Sequence, residues 1–235
     1  MNTYAVLIFI AGIVAMDTTS GPQVLISEPI VSCSLLGFLF GIPETGLTMG
    51  ALFQLLWLGY MPLGAARLTD GNMGAYISTA GLFTAGRIFG LHDDIMKAVV
   101  IPAMLYSIIV GYIGLRVTQS IRKLNGIRND KMRQVLETGE EVSIKWYHVK
   151  GIGSSLVRGM IMGVILIPLG ACLFGIITVL PLQVIHALMR SSFLIWGAVF
   201  ASGIIFFWNR GIERYFLIGS IGGILWILFL LLGKG

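Results

Sequence analysis

Long apolar runs separated by short polar breaks repeat along the whole 235-residue chain. The longest runs cover residues 47–63, 95–115, 159–180, 193–208 and 215–232. A helix needs about 20 predominantly apolar residues to cross the hydrocarbon of a bilayer. The pattern therefore predicts several membrane-spanning helices, and the fold class that we expect is an all-α polytopic integral membrane protein.

The first half of the chain departs from this simple pattern. Its first apolar run stops at Asp17, which is short for a crossing, and it lacks the basic region and cleavage site of a secretory signal. We expect a retained segment that is tilted, re-entrant or continued through residues 24–26. Further on, Gly- and Pro-rich breaks interrupt the apolar runs at 41–46 and 64–74. Broken backbone at membrane depth must be buried or line a cavity, so we expect broken or re-entrant helices and a substrate pathway here.

Glycines spaced four residues apart predict close contacts between helices, because small residues let two backbones approach. The pairs are Gly37 with Gly41, Gly46 with Gly50, Gly86 with Gly90, and Gly159 with Gly163.

The composition excludes a water-soluble domain. Hydrophobic residues make up 56% of the chain and charged residues 11%, and the mean hydropathy is +0.89. An ordinary soluble domain carries about 25% charged residues. Cys33 and Cys172 both lie in apolar runs, where a thiol acts as a small buried hydrophobe. The formal charge of +5 is better explained by membrane orientation than by nucleic acid, and we expect no nucleic-acid partner.

Half of the 16 Lys and Arg residues fall between positions 116 and 150, which places that stretch in the cytoplasm by the positive-inside rule. Apolar residues at roughly helical spacing favour an amphipathic helix along the membrane surface, and a solvated loop with some helix is the alternative. The stretch divides the chain into an N-terminal membrane half (1–115), a basic cytoplasmic or interfacial segment (116–150) and a C-terminal membrane half (151–235).

The polar candidates for function cluster in the N-terminal half. Gln54 is predicted to lie mid-helix on the face of Gly50, near Trp57, where an amide beside an aromatic ring suits a sugar. The alternative is a buried Gln that links two helices. Arg67, Asp70 and Asn72 follow in the glycine-rich loop, where a carboxylate and an amide could bind sugar hydroxyls.

For that loop, the alternative is an exposed segment with a surface ion pair between Arg67 and Asp70. His92, Asp93 and Asp94 are interpreted as the cap of the following helix, not as a metal site. We therefore expect no metal, no cofactor and no catalytic residue in this chain.

Three motifs resemble a known family. They are the segment PIVSCSLLGFLFG that starts at Pro29, the pattern GxxxGxxxQxxxxG that starts at Gly46, and LGAA from Leu63 followed by Asp70 and Ile77-Ser-Thr. Together they resemble the IIC membrane subunits of the mannose/fructose/sorbose family of the bacterial phosphoenolpyruvate-dependent sugar phosphotransferase system. The likeness extends more loosely over nearly the full chain. Four positions depart from the family pattern: Glu28 stands where Arg is common, Ile42 where an acidic residue is common, Gln54 where Glu is common, and Arg67 at a usually small or apolar position.

The resemblance implies a sugar-translocating permease subunit in the bacterial cytoplasmic (inner) membrane. It implies a IID membrane subunit as partner, in a trimer of IIC–IID pairs, and cytoplasmic IIA and IIB proteins that carry the phosphoryl group. By matching position it implies that Gln54, Arg67, Asp70 and Asn72 contact the sugar. Two alternatives are an integral-membrane enzyme acting on lipids and a membrane subunit of another multi-component importer.

Overall fold

The computed structural model describes residues 3–58, 69–91, 93–139 and 144–208. Within these ranges the chain forms helices and no strands, so the predicted all-α class is confirmed. The helices are α1 (Thr3–Thr19), α2 (Pro29–Phe40), α3 (Pro43–Trp57), α4 (Gly71–Phe89), α5 (Asp93–Glu137), α6 (Ile144–Gly175) and α7 (Leu182–Trp208), with a 3₁₀-helix at Ile176–Val179. The predicted span at 215–232 lies outside the described residues.

Three of the described helices, α5, α6 and α7, are long and apolar enough to cross a membrane by length and composition. The prediction of an integral membrane protein is confirmed by these helices. By contrast, α2 has only 12 residues, which is about 18 Å of helix against about 30 Å of hydrocarbon. It therefore cannot cross alone.

Helices α2 and α3 form a tight helical hairpin, which is the broken element expected from the Gly- and Pro-rich sequence. Gly41 ends α2 with φ +76°, a left-handed conformation that glycine adopts without strain, and Pro43 starts α3. The Ile42 N–H donates to the Gly37 carbonyl at 2.9 Å, which closes the turn.

Two glycines set the distance between the hairpin arms. A Cβ atom on Gly46 would lie 2.6 Å from Gly37 Cα and 2.7 Å from the Cys33 carbonyl oxygen, so the two backbones touch where Gly37 and Gly46 cross. Gly159 and Gly163 likewise pack α6 against Ala11 of α1. Gly86 and Gly90 face open space, so the close contact predicted for that pair is wrong within the described residues.

Helix α4 lies at the centre of the bundle. Thirteen of its 19 residues are buried, and it packs against α1, α2, α3, α5 and α6. Gly71, Asn72 and Gly74 are predicted to lie in a loop, and this prediction is wrong because α4 begins at Gly71. The glycines allow the Trp57 ring and the Ser107 carbonyl to lie directly against the first two turns of the helix.

The basic stretch is helical from residue 116 to Glu137 and continues α5 without a break. The prediction of a helix in this stretch is confirmed, and the alternative of a solvated loop with some helix is wrong for the 22 positions from 116 to 137. Its apolar side chains Leu124, Ile127 and Leu136 are exposed. This amphipathic face has no cover within the described part of the chain.

The close approach of Gly37 and Gly46 can be tested with two matched variants of this protein. We expect Gly46→Ala to lower the free energy of unfolding by about 1–3 kcal/mol, because the added methyl group forces the hairpin arms apart. Gly86→Ala, also in a helix but facing open space, should be neutral or stabilising by up to about 1 kcal/mol. Thermal unfolding of both variants in detergent measures the difference, and equal midpoints would contradict the close crossing.

Candidate functional site

Gln54 joins the two arms of the hairpin at its open end. Its Nε2 donates to the Glu28 carboxylate at 2.7 Å, and its Oε1 accepts from the Ile30 backbone N–H at 3.2 Å. Gln54 lies in the last turn of α3, not mid-helix as predicted, on the same face as Gly50, which packs on Ile30. The geometry fits the interpretation of Gln54 as a helix-linking amide. Its contact with sugar stays a prediction.

The loop that leads into the hairpin is held by Asp17. This buried carboxylate accepts from the Val24 N–H at 2.7 Å and from the Ser27 N–H at 2.9 Å. Gln23 and Leu25 adopt φ of 52° and 68°, values that cost non-glycine residues about 1–3 kcal/mol and persist only where surrounding contacts impose them. Asp17 supplies those contacts, and the expected option of a helix continued through 24–26 is wrong.

Asn72 meets the same loop from the first turn of α4. Its Nδ2 donates to Ser27 Oγ at 3.3 Å. Ser27 directly precedes Glu28, which binds Gln54. The first turns of α2 and α4 therefore lie together beside Ser27. Helix N-termini carry partial positive charge and unpaired N–H groups, which attract oxygen atoms. The structure thus combines a carboxylate, two amides, a hydroxyl and two helix starts in one partly buried cluster.

Asp70 lies beside this cluster, but its side chain binds Met73 and Arg158 and not the residues of the cluster. It caps α4 by accepting from the Met73 N–H at 3.3 Å, and its other oxygen lies 2.7 Å from Arg158 Nη1. The two side chains are 5% and 1% exposed, so the surface ion pair suggested for Asp70 is wrong. Arg67 lies outside the described residues. The assignment of Asp70 as a sugar ligand stays a prediction.

Arg158 connects four helices at this level. Besides Asp70 of α4, its guanidinium donates to Thr118 Oγ1 of α5 and, at 3.2 Å, to the Ala15 carbonyl of α1. Its Nε is buried and has no partner within the described part of the chain. A buried charge of this kind is stabilised only by close partners, so Arg158 and Asp70 act as one structural unit.

The Trp57 ring, expected to lie near Gln54, is buried between helices. Its Nε1 donates to Ser107 Oγ at 3.1 Å, and its ring packs on Gly71 and Gly111. With 8% of the residue exposed, the ring positions α3 against α4 and α5.

The sequence patterns do not identify Asp17 and Arg158 as determinants of this region. Each is a lone charged residue at the edge of an apolar run, and a charge at membrane depth is a signal of a specific partner. In the sequence, the departures from the family pattern at Glu28 and Gln54 are separate. In the structure the two side chains are in contact, so a Glu–Gln pair stands where the family resemblance implies an Arg–Glu pair.

The match to known proteins agrees with this architecture. The family model described as the sorbose-specific IIC component of the phosphotransferase system matches residues 2–226. The chain belongs to this IIC family. The predicted family resemblance is therefore confirmed.

The matched relatives are named for three different sugars, mannose, sorbose and fructose. The IIC chain is 26% identical over 160 residues to the mannose-specific EIIC component of Escherichia coli K12, covering 68% of this chain and 56% of the relative. It is 35% identical over 74 residues to the sorbose-specific EIIC component of Lacticaseibacillus casei, covering 32% of this chain and 24% of that one. It is 27% identical over 134 residues to the fructose permease IIC component of Bacillus subtilis, covering 57% and 46%. The chain thus spans about half the length of the curated relatives that it matches.

Two solved structures share the fold. A membrane-protein structure aligns with a TM-score of 0.63 at 20% identity, covering 98% of this chain and 96% of that chain. The cryo-EM structure of the mannose transporter ManYZ with microcin E492 aligns with a TM-score of 0.55, at the same identity and coverage.

The contact between Glu28 and Gln54 predicts coupled substitutions. Gln54→Glu alone places two carboxylates side by side and should lower the thermal midpoint. Adding Glu28→Arg should recover it, because Arg and Glu can form an ion pair at these positions, with a coupling energy of about 0.5–3 kcal/mol. The double-mutant cycle is read by thermal unfolding in detergent. Additive effects would contradict the contact.

The buried ion pair predicts a second cycle. Asp70→Asn keeps an N-cap but leaves Arg158 without its counter-charge, and should cost about 3–5 kcal/mol. The double variant Asp70→Asn with Arg158→Met removes both charges and should regain most of that loss. The detergent-solubilised yield and the thermal midpoint are measured for the single and the double variant. If Asp70→Asn alone is as stable as wild type, the ion pair does not hold the helices together.

Proposed function

We propose that this chain is the sugar-translocating IIC subunit of a mannose-type phosphotransferase system in the bacterial cytoplasmic membrane. It imports a hexose or related sugar together with a IID membrane subunit, in a trimer of IIC–IID pairs. Cytoplasmic IIA and IIB proteins carry out the phosphoryl transfer coupled to import. Family membership and the sugar-system names of the relatives support this proposal over a lipid enzyme or a subunit of another importer.

The cluster at the open end of the hairpin carries the proposal. A sugar hydroxyl both donates and accepts hydrogen bonds, and so do the amides of Gln54 and Asn72, while Glu28 accepts strongly. These groups now bond to each other or to Ser27. A sugar can replace those bonds with its own hydroxyls, so that binding leaves no buried polar group unpaired, which would otherwise cost about 1–3 kcal/mol.

The proposed roles differ between residues. Gln54 and Asn72 bind sugar hydroxyls, and Glu28, which sequence analysis noted only as a departure, joins them as an acceptor. Asp70 holds the start of α4 in place through Met73 and Arg158 and so positions Asn72. Arg67 belongs to the proposed site by its place in the motif alone.

Gln54→Leu tests the proposal directly. Cells that carry this subunit with its IID, IIA and IIB partners should lose about tenfold in sugar uptake and phosphorylation, because Leu leaves a buried sugar hydroxyl without its partner, which costs about 1–3 kcal/mol. A panel of labelled hexoses, ketohexoses and amino sugars identifies the substrate. Membrane insertion and co-purification of IID should be unchanged.

Gln134→Leu is the matched control, since Gln134 is exposed on the basic part of α5, far along the chain from the hairpin. It should transport like wild type. Wild-type uptake by Gln54→Leu would assign Gln54 to helix linkage alone, and uptake of no sugar by the wild-type system would contradict the proposed function.

A further inference from the structure

A cavity of about 350 Å³ lies at the basic end of the bundle, where α1 ends and α5 and α6 come together. Its lining combines apolar side chains such as Met132 and Ile152 with polar ones, which are Ser20, Asn125, Arg128, Asn129, Tyr147 and His148. None of its described lining residues is acidic. Arg128 is held at the cavity by a hydrogen bond from Nη1 to Asn125 Oδ1 at 3.1 Å. The cavity therefore suits an anion.

One group in this cavity has no protein partner. Ser20 Oγ is buried and makes no hydrogen bond within the described part of the chain, although an unpaired buried hydroxyl costs about 1–3 kcal/mol. Next to the lining residues on α6, the Lys150 ammonium lies 5.6 Å from the Trp146 ring centre and 5.8 Å from that of Tyr147. Aromatic and basic residues of this kind are typical of the headgroup region of a membrane.

An apolar groove of about 370 Å³ lies next to the cavity, between α5 and α6. On α5, Ile121 lines the groove, and Asn125, one turn further along, lines the cavity. On α6, Ser154 lines the groove and Ile152 lines the cavity. The groove and the cavity therefore lie end to end along both helices, and together they are called the crevice.

The groove has the length of one lipid leaflet. On α6 it extends from Ser154 to Leu166, which are 12 residues or about 18 Å apart along a helix. Half of the hydrocarbon core is about 15 Å thick. Arg158 lies in its wall, and the side chain of Arg158 is 1% exposed because it is paired with Asp70 behind the groove.

We propose that this crevice is a binding site for one anionic phospholipid. The headgroup phosphate lies against the polar lining residues of the cavity, Arg128, His148 and the unpaired Ser20 hydroxyl, and an acyl chain lies in the groove between α5 and α6. Basic pockets between membrane helices bind anionic headgroups on the cytoplasmic side, which is where the positive-inside rule places this end. The proposal is independent of which sugar the protein carries.

Native mass spectrometry of the full chain in detergent tests the headgroup. Phosphatidylglycerol should bind at least about tenfold more tightly than phosphatidylcholine with the same acyl chains. Arg128→Gln should lose this preference. Arg133→Gln, the same change on the same helix at a side chain that is 81% exposed and outside the cavity, should keep it. Equal binding of the two lipids, or equal loss in both variants, would overturn the proposal.

A second pair of variants tests the groove. Ile161→Trp fills it and should weaken phosphatidylglycerol binding about tenfold, whereas Leu169→Trp, equally lipid-facing on α6 but outside the groove, should not. If glycerol phosphate alone displaces the lipid and Ile161→Trp has no effect, the cavity is a site for small phosphates. If Ile161→Trp instead abolishes a dimer of the chain, the groove holds a second copy. Either result overturns the lipid assignment.

Discussion

Helices that begin inside a membrane domain must find acceptors for the N–H groups of their first turn, because lipid offers none. In this chain α2 and α4 both begin beside the loop after α1. Two side chains supply such acceptors: Gln54 binds the Ile30 N–H of α2, and Asp70 binds the Met73 N–H of α4. Asp17 binds the Ser27 N–H in the turn just before α2. These polar residues, which stand out in an apolar sequence, therefore stabilise the fold by holding the starts of α2 and α4 in place.

The links on the two sides of the proposed site differ in strength. Helix α4 is tied to α6 by the buried ion pair of Asp70 with Arg158, whose disruption costs about 3–5 kcal/mol. The polar links from the hairpin region to α4 include the hydrogen bond between Ser27 and Asn72, a neutral bond worth about 0.5–1.5 kcal/mol. Less free energy is therefore lost when the bond between Ser27 and Asn72 is exchanged for bonds to a sugar than when the ion pair of Asp70 with Arg158 is broken. By these polar links, α4 is held more firmly than the hairpin.

Much of the architecture could be predicted from local sequence. The long apolar runs indicated α5, α6 and α7, and the glycine and proline break near Gly41 indicated the hairpin. Helix α4 could not be found this way. It is covered by protein on several sides, so its sequence is rich in small residues, with four Gly and three Ala that pack closely, and not in the large apolar residues that face lipid.

The site was predictable as a set of residues but not as a set of contacts. Gln54 and Asn72 were named, and the structure brings both to the same short loop. Their partners lie 26 and 45 positions away, and Arg158 lies 88 positions from Asp70. Pairs so distant leave no periodic signal in one sequence, and only the fold identifies them.

The central claim is that the sugar binds where the first turns of α2 and α4 meet. Hydrogen exchange, measured by mass spectrometry on the complex with its IID subunit with and without substrate, tests this most directly. We expect substrate to change exchange in residues 24–32 and in the first turn of α4, and to leave the middle of α6 unchanged. Substrate that binds without any change at 24–32 or at the start of α4 would contradict the account.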